Sequence, residues 1–110
     1  MNGQISIFEF IQPVKKRTLN DYWHAEAIGQ PIRLTSEELQ AEQNRLGIHA
    51  YWYFATDVPK CCGCYPMLKV ANRGFNDLYY AECLVCGNKT KPIDDYSWQG
   101  TRKAWIELIQ

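Results

Sequence analysis

Two pairs of cysteines, Cys61-x-x-Cys64 and Cys83-x-x-Cys86, bracket eighteen residues of chain, and this spacing constrains the fold more than any other feature. Two residues between cysteines let the backbone curl until both sulfurs face one point about 2.3 Å away, with backbone N–H groups directed at the thiolates. Between the pairs, "MLKVANR" and "DLYYAEC" read as short strands around a turn at Gly74-Phe75-Asn76. A hairpin there carries the two curls together and completes a tetrahedron of sulfur, the spacing of a zinc ribbon. Four thiolates leave no open position for substrate or activated water, so the expected cofactor is one structural Zn2+ that contributes folding energy rather than catalysis.

A fifth cysteine complicates the first pair. In "VPKCCGCYP", residues 58 to 66, either Cys61 or Cys62 can partner Cys64. Cys62 with Cys64 leaves a single intervening residue, too few for a knuckle, so the expected ligands are Cys61, Cys64, Cys83 and Cys86, with Cys62 a spare thiol. Gly87, directly after Cys86, suits the left-handed conformation that ends such a curl. The competing reading, core cysteines or a redox pair, is disfavoured by two correctly spaced units and by the reducing cytosol expected for this chain.

That compartment follows from the N-terminus. "MNGQISIFEFIQP" lacks the basic start, apolar run and small-residue cleavage site of a signal peptide, and no segment is apolar enough to span a bilayer; a soluble, cytoplasmic protein without a membrane partner is expected. Lys plus Arg and Asp plus Glu balance at 12 each, which argues against an acidic nucleic-acid mimic and a strongly basic DNA coater. Residues 60 to 110 hold seven basic and five acidic side chains, net +2, and the rest is net −2. Duplex DNA is therefore expected to be at most a weak partner.

At 110 residues the chain makes one domain, read as residues 14–110, preceded by a flexible arm over 1–13 that Pro13 and Lys15-Lys16-Arg17 set apart. "LTSEELQAEQNRLG", residues 34 to 47, predicts a helix: Thr35 caps it, Glu38 closes a capping box, Leu34 staples to Leu39 and Gly47 stops it, with Leu39, Gln43 and Leu46 inward. "IHAYWYFA", residues 48 to 55, predicts a strand leading into the first cysteines. Thr101, Trp105, Leu108 and Ile109 recur at helical spacing and predict a C-terminal helix on the hairpin. The expected class is α+β: a zinc ribbon with a mid-chain and a C-terminal helix. Core packing is the expected role of Tyr51, Trp52, Tyr53, Tyr79 and Tyr80, with stacking on single-stranded bases the alternative.

Three resemblances bear on function. From Lys60 onward, under half the chain, the order CxxC, hairpin, CxxCG, polar stretch, then a helix with Ala104-Trp105 resembles the Lar-type restriction-alleviation family, small zinc ribbons of phages and prophages. The family's CPxCG is here CCGCYP, its proline displaced to Pro66. The resemblance implies a phage-type protein that acts by binding a protein, with counter-defence as its role: restriction alleviation, or inhibition of a CRISPR or other nuclease effector of the host. Within the arm, Gln4-Ile5-Ser6-Ile7-Phe8 is similar to the motif by which bacterial replication proteins dock on the sliding clamp, Ile7 and Phe8 acting as apolar anchors. It implies the alternative role of a replication accessory factor. "HAE", residues 24 to 26, with "PKCCGC" resembles the zinc nucleobase deaminase signature, in which His24 and two cysteines would hold the metal and Glu26 move protons. Against it, Gly29 and Pro31 interrupt the helix that His24 and Glu26 should open, and the second CxxC has no role. No catalytic residues are assigned, and the protein is expected not to be an enzyme.

Overall fold

A computed structural model describes residues 16–110. Helix α1, Leu19–Ala27, begins at Thr18, whose hydroxyl accepts from the Asp21 N–H while the Asp21 carboxylate accepts from the Thr18 N–H. Leu19, Tyr22 and Ala25 form its buried face. Helix α2, Ser36–Leu46, starts with the expected capping box of Thr35 and Glu38 and ends at Gly47. Its buried residues are Glu38, Leu39, Glu42 and Gln43, with Leu46 half-buried.

The two buried glutamates join the helices. Glu38 accepts from the Arg17 N–H at 2.8 Å, just ahead of the α1 cap, and Glu42 from the Leu19 N–H at 2.8 Å, a donor that the first turn of α1 leaves without an intrahelical partner. The Thr35 and Arg17 backbone N–H groups hold the Glu38 carboxyl at about 2, below its ordinary 4.5. A depressed carboxyl stabilises the fold above its unfolded value and loses that contribution as pH falls through the folded value. Glu38→Gln is therefore expected to cost about 2 kcal/mol near neutrality and to flatten the acid limb of stability between pH 4.5 and about 2, read from urea midpoints against pH.

Past Gly47 the chain does not form the strand expected over 48–55. It winds into a 3-10 helix, Gly47–Trp52, and only Phe54 pairs in extended fashion, with Met67. With three residues per turn, side chains three apart share an edge, so Ala50 takes the inward edge while Ile48, His49, Tyr51 and Trp52 fall on the two outer ones, and Tyr53 past the helix end is also exposed. Ala50 and Phe54 enter the core; Ile48, Tyr51 and Trp52 are 83%, 60% and 58% exposed, against the core role expected for the aromatic run.

The hairpin forms as expected, from β1, Met67–Arg73, and β2, Asn76–Glu82, antiparallel with Met67 opposite Glu82 and Arg73 opposite Asn76. Tyr79 and Tyr80 on β2 are half-buried. Helix α3, Gln99–Ile109, lies on β2, where the Thr101 hydroxyl donates to the Tyr79 carbonyl. Two apolar clusters result. One joins Leu19, Tyr22, Leu34, Leu39, Phe54, Cys64 and Leu84; the other gathers Ala55, Val58, Ala81 and Cys83 around Trp105. The molecule is thus α+β, three α-helices and a two-stranded antiparallel sheet among the described residues. No helix among them is long and apolar enough to cross a membrane. The expected arm, residues 1–13, lies outside the described residues.

Candidate metal centre

The first cysteine loop is a miniature hairpin. Cys61 and Cys64 exchange both backbone hydrogen bonds, at 2.9 and 3.1 Å, around Cys62 and Gly63, whose φ angles are +57° and +75°. Positive φ at both central positions is what a type I′ turn requires. Glycine adopts it freely, whereas Cys62 bears the roughly 1–2 kcal/mol cost of a side chain in the left-handed region. The Ser36 hydroxyl at the start of α2 donates to the Cys62 carbonyl and pins the turn.

The second loop follows β2. The Cys83 N–H donates to the Asn88 carbonyl at 2.8 Å, and the Gly87 N–H donates to the Cys83 carbonyl at 2.9 Å. Gly87 sits at φ +85°, and a Cβ there would collide with the Arg33 guanidinium. Arg33 therefore lies against this loop at Gly87. Gly87→Ala is expected to lower stability by about 1–2 kcal/mol through the backbone alone, measured by urea titration of metal-loaded protein.

These loops bring the sulfurs of Cys61, Cys62, Cys83 and Cys86 within 4.8 Å of one another. Cys61 Sγ lies 3.6 Å from Cys86 Sγ and 3.9 Å from Cys62 Sγ. A tetrahedral ion with sulfur 2.3 Å away has sulfur–sulfur edges of about 3.8 Å, so the group is of a size to hold a metal ion. Cys83 is buried, Cys61 half-buried, and Cys62 and Cys86 are exposed. Asn88 Nδ2 donates to Cys61 Sγ at 3.7 Å. Burial, then the neighbouring sulfurs, push the Cys61 thiol up to about 12 and the Cys62 thiol up to about 11. At Cys86 burial also raises the thiol, but the Asn88 backbone N–H and the sulfurs of Cys61, Cys62 and Cys83 outweigh it and leave it below its ordinary value.

The quartet differs from the expected one at a single position: Cys62 stands where Cys64 was assigned. Cys64 is 1% exposed and belongs to the core cluster with Leu39, Phe54 and Leu84; its thiol points to the Ser36 and Cys62 carbonyls, each at 3.6 Å. The physical reason is the turn. A tight two-residue hairpin presents its tip residue toward the second loop and leaves Cys64 to the core, whereas a knuckle would have used its two ends. Cys61, Cys83 and Cys86 fall in the group as the spacing requires. The readable signal for Cys62 was the Cys-Gly dipeptide itself, a two-residue loop between pairing cysteines.

His24 and Glu26 lie elsewhere. Both occupy the last turn of α1, where Gly29 and Pro31 follow the helix end. His24 is exposed and not part of the group, and Glu26 pairs with Lys69, which also donates to Tyr22 Oη at 2.7 Å and meets Glu82 at 3.2 Å. The deaminase arrangement is thus not assembled. Gln4, Ile5, Ser6, Ile7 and Phe8 lie outside the described residues. Compared with protein-family models, curated proteins and solved structures, the chain finds no match.

Proposed function

We propose that this is a small zinc-ribbon protein in which Cys61, Cys62, Cys83 and Cys86 hold one structural Zn2+, and that it acts by binding a protein rather than by catalysis. The observation that carries the reading is the gathering of four sulfurs within 4.8 Å of one another from two loops far apart in sequence. An all-thiolate site suits zinc among the common cellular ions, and a four-coordinate one is closed to substrate. Because each ligand binds as thiolate, loading releases protons and affinity falls with acidification.

For the biological role, the resemblance of residues 60–110 to phage restriction-alleviation ribbons supports counter-defence against a host nuclease. The test is phage plating on bacteria that express the chain together with a defined restriction or CRISPR system. Plating is expected to rise at least tenfold with the intact protein and not with Cys83→Ser. Unchanged plating on a panel of such hosts, with zinc-loaded protein present in the cells, contradicts this role.

The arm supports a second reading, docking on the sliding clamp through residues 4–8. Ile7→Ala with Phe8→Ala is expected to leave the melting temperature within a degree or so yet abolish clamp binding in a pull-down with purified clamp, since two inserted anchors dominate such an interface. A large fall in melting temperature with no clamp binding by the intact chain places these side chains in the core instead.

A further inference from the structure

The aromatic run after α2 is left in solvent, and its arrangement is ordered. In the 3-10 helix, Ile48 and Tyr51 share one outer edge and His49 and Trp52 the other. The His49 and Trp52 rings stack at 4.4 Å between centroids with a 35° tilt, and Tyr51 meets Trp52 edge-on at 6.2 Å. Large apolar side chains this exposed, side by side on one short element, mark a contact surface rather than a stray core residue. Beside them opens a cavity of about 550 Å³ that Ile48 helps to line.

The walls of that cavity decide what fits. They come from the amide face of α2, with Gln40, Gln43 and Asn44, and from Thr56 and Lys60 across the gap; Lys60 is the sole charge and no acid is present. Gln43 is fully engaged with the Tyr65 backbone through both ends of its amide. Asn44 and Thr56 make no side-chain hydrogen bond among the described residues, and Lys60 stands over the Tyr65 ring at 4.9 Å, close enough to the Cys64 thiol to favour its thiolate. A protein hot spot seats its aromatic anchors in well-packed pockets ringed by contacts that exclude water. Exposed rings on an element whose Ile48 borders unpaired amide and hydroxyl groups and a lysine with no carboxylate in the cavity instead match an unpaired nucleotide, whose base stacks, whose edge hydrogen-bonds and whose phosphate is anionic.

We propose that the outer edges of the 3-10 helix, Ile48, His49, Tyr51 and Trp52, together with Asn44 and Lys60 of the adjoining cavity, form a binding site for single-stranded nucleic acid. The site does not depend on which protein the chain engages. With one cation in the cavity, affinity comes from stacking more than from phosphate contacts, so salt dependence is shallow and duplexes, whose bases offer no free face, bind less well.

The test is fluorescence anisotropy of labelled oligo-dT, oligo-U and a mixed-sequence duplex titrated with the purified, metal-loaded full chain. Saturable binding to at least one single strand, tighter than to the duplex, is expected; the stronger arm identifies DNA or RNA as the natural form. Tyr51→Ala with Trp52→Ala is expected to weaken it by about tenfold or more, the loss of one or two base stacks. Phe75→Ala, which removes a fully exposed ring at the hairpin turn, is expected to leave it unchanged. Melting temperature and metal content report that each variant is folded. No anisotropy change up to the solubility limit overturns the proposal, as does binding that survives the double substitution. A dimer in sedimentation that the double substitution abolishes, with no oligonucleotide bound, also overturns it and assigns the rings to a contact between copies.

Discussion

Serine at Cys83 or at Cys86 is expected to abolish cooperative folding. Structural zinc in small domains contributes on the order of 10–16 kcal/mol of apparent binding free energy near neutral pH, while a domain of this size has about 5–15 kcal/mol of net stability. Most of the fold's margin can therefore reside in the metal. Cys83 concentrates the effect because it serves two structures: its sulfur belongs to the quartet, and its side chain, 1% exposed, packs with Ala55, Val58, Ala81 and Trp105. Both loops contribute sulfurs to the same group, so a metal held there would tie them together across the hairpin. Far-UV circular dichroism and thermal melts should show the cysteine variants without a sigmoidal transition, and chelation of the wild-type protein should reproduce that state. A variant that melts cooperatively within a few degrees of wild type would show that the core alone holds the fold.

Trp105→Ala is expected to cost about 3–5 kcal/mol, the range for removing a fully buried tryptophan. Trp105 is 0% exposed and fills the centre of the second cluster, and its Nε1–H donates to the Pro59 carbonyl at 2.8 Å, tying α3 to the segment that enters the first cysteine loop. Truncation leaves a cavity beside Cys83 and a carbonyl without its donor, two costs that add. Trp105→Phe keeps part of the packing and loses the bond, so about half the penalty is expected. Urea midpoints of metal-loaded protein measure both. Trp52→Ala, at a 58% exposed ring, should shift the midpoint little, and a large shift there would contradict the surface placement of the 3-10 helix.

Where local chemistry alone decides, the sequence was readable. The capping box of Thr35 and Glu38, the hairpin on either side of Gly74 and the helix carrying Trp105 appear where short-range signals put them. Helix α1 was not foreseen because its box uses Asp21 in place of a longer acid and its inward face is only Leu19, Tyr22 and Ala25. Residues 48–55 misled for a different reason. Aromatic and β-branched side chains favour strands only when a neighbouring strand and a buried face receive them, and here the sole extended pairing is Phe54 with Met67. At the metal centre, spacing located three of the four gathered cysteines. The fourth depended on whether CCGC curls as a knuckle or closes as a type I′ turn, and that choice is set by contacts far away in sequence: Ser36 on the Cys62 carbonyl and the Leu39–Phe54–Leu84 core around Cys64. The Cys-Gly dipeptide marks a two-residue turn as available, but no local pattern encodes the distant contacts that select it.

The most direct measurement of the central claim is zinc K-edge X-ray absorption, with metal analysis, on Cys62→Ser and Cys64→Ser. About one zinc per chain with four sulfur neighbours near 2.3 Å is predicted for the wild type and for Cys64→Ser. Cys62→Ser is predicted to show three sulfurs and one lighter atom, or to lose the metal. Four sulfurs retained in Cys62→Ser, with one lost in Cys64→Ser, would contradict the assignment of Cys62 as the fourth ligand, and an absence of bound zinc in the wild-type protein would contradict the zinc centre itself.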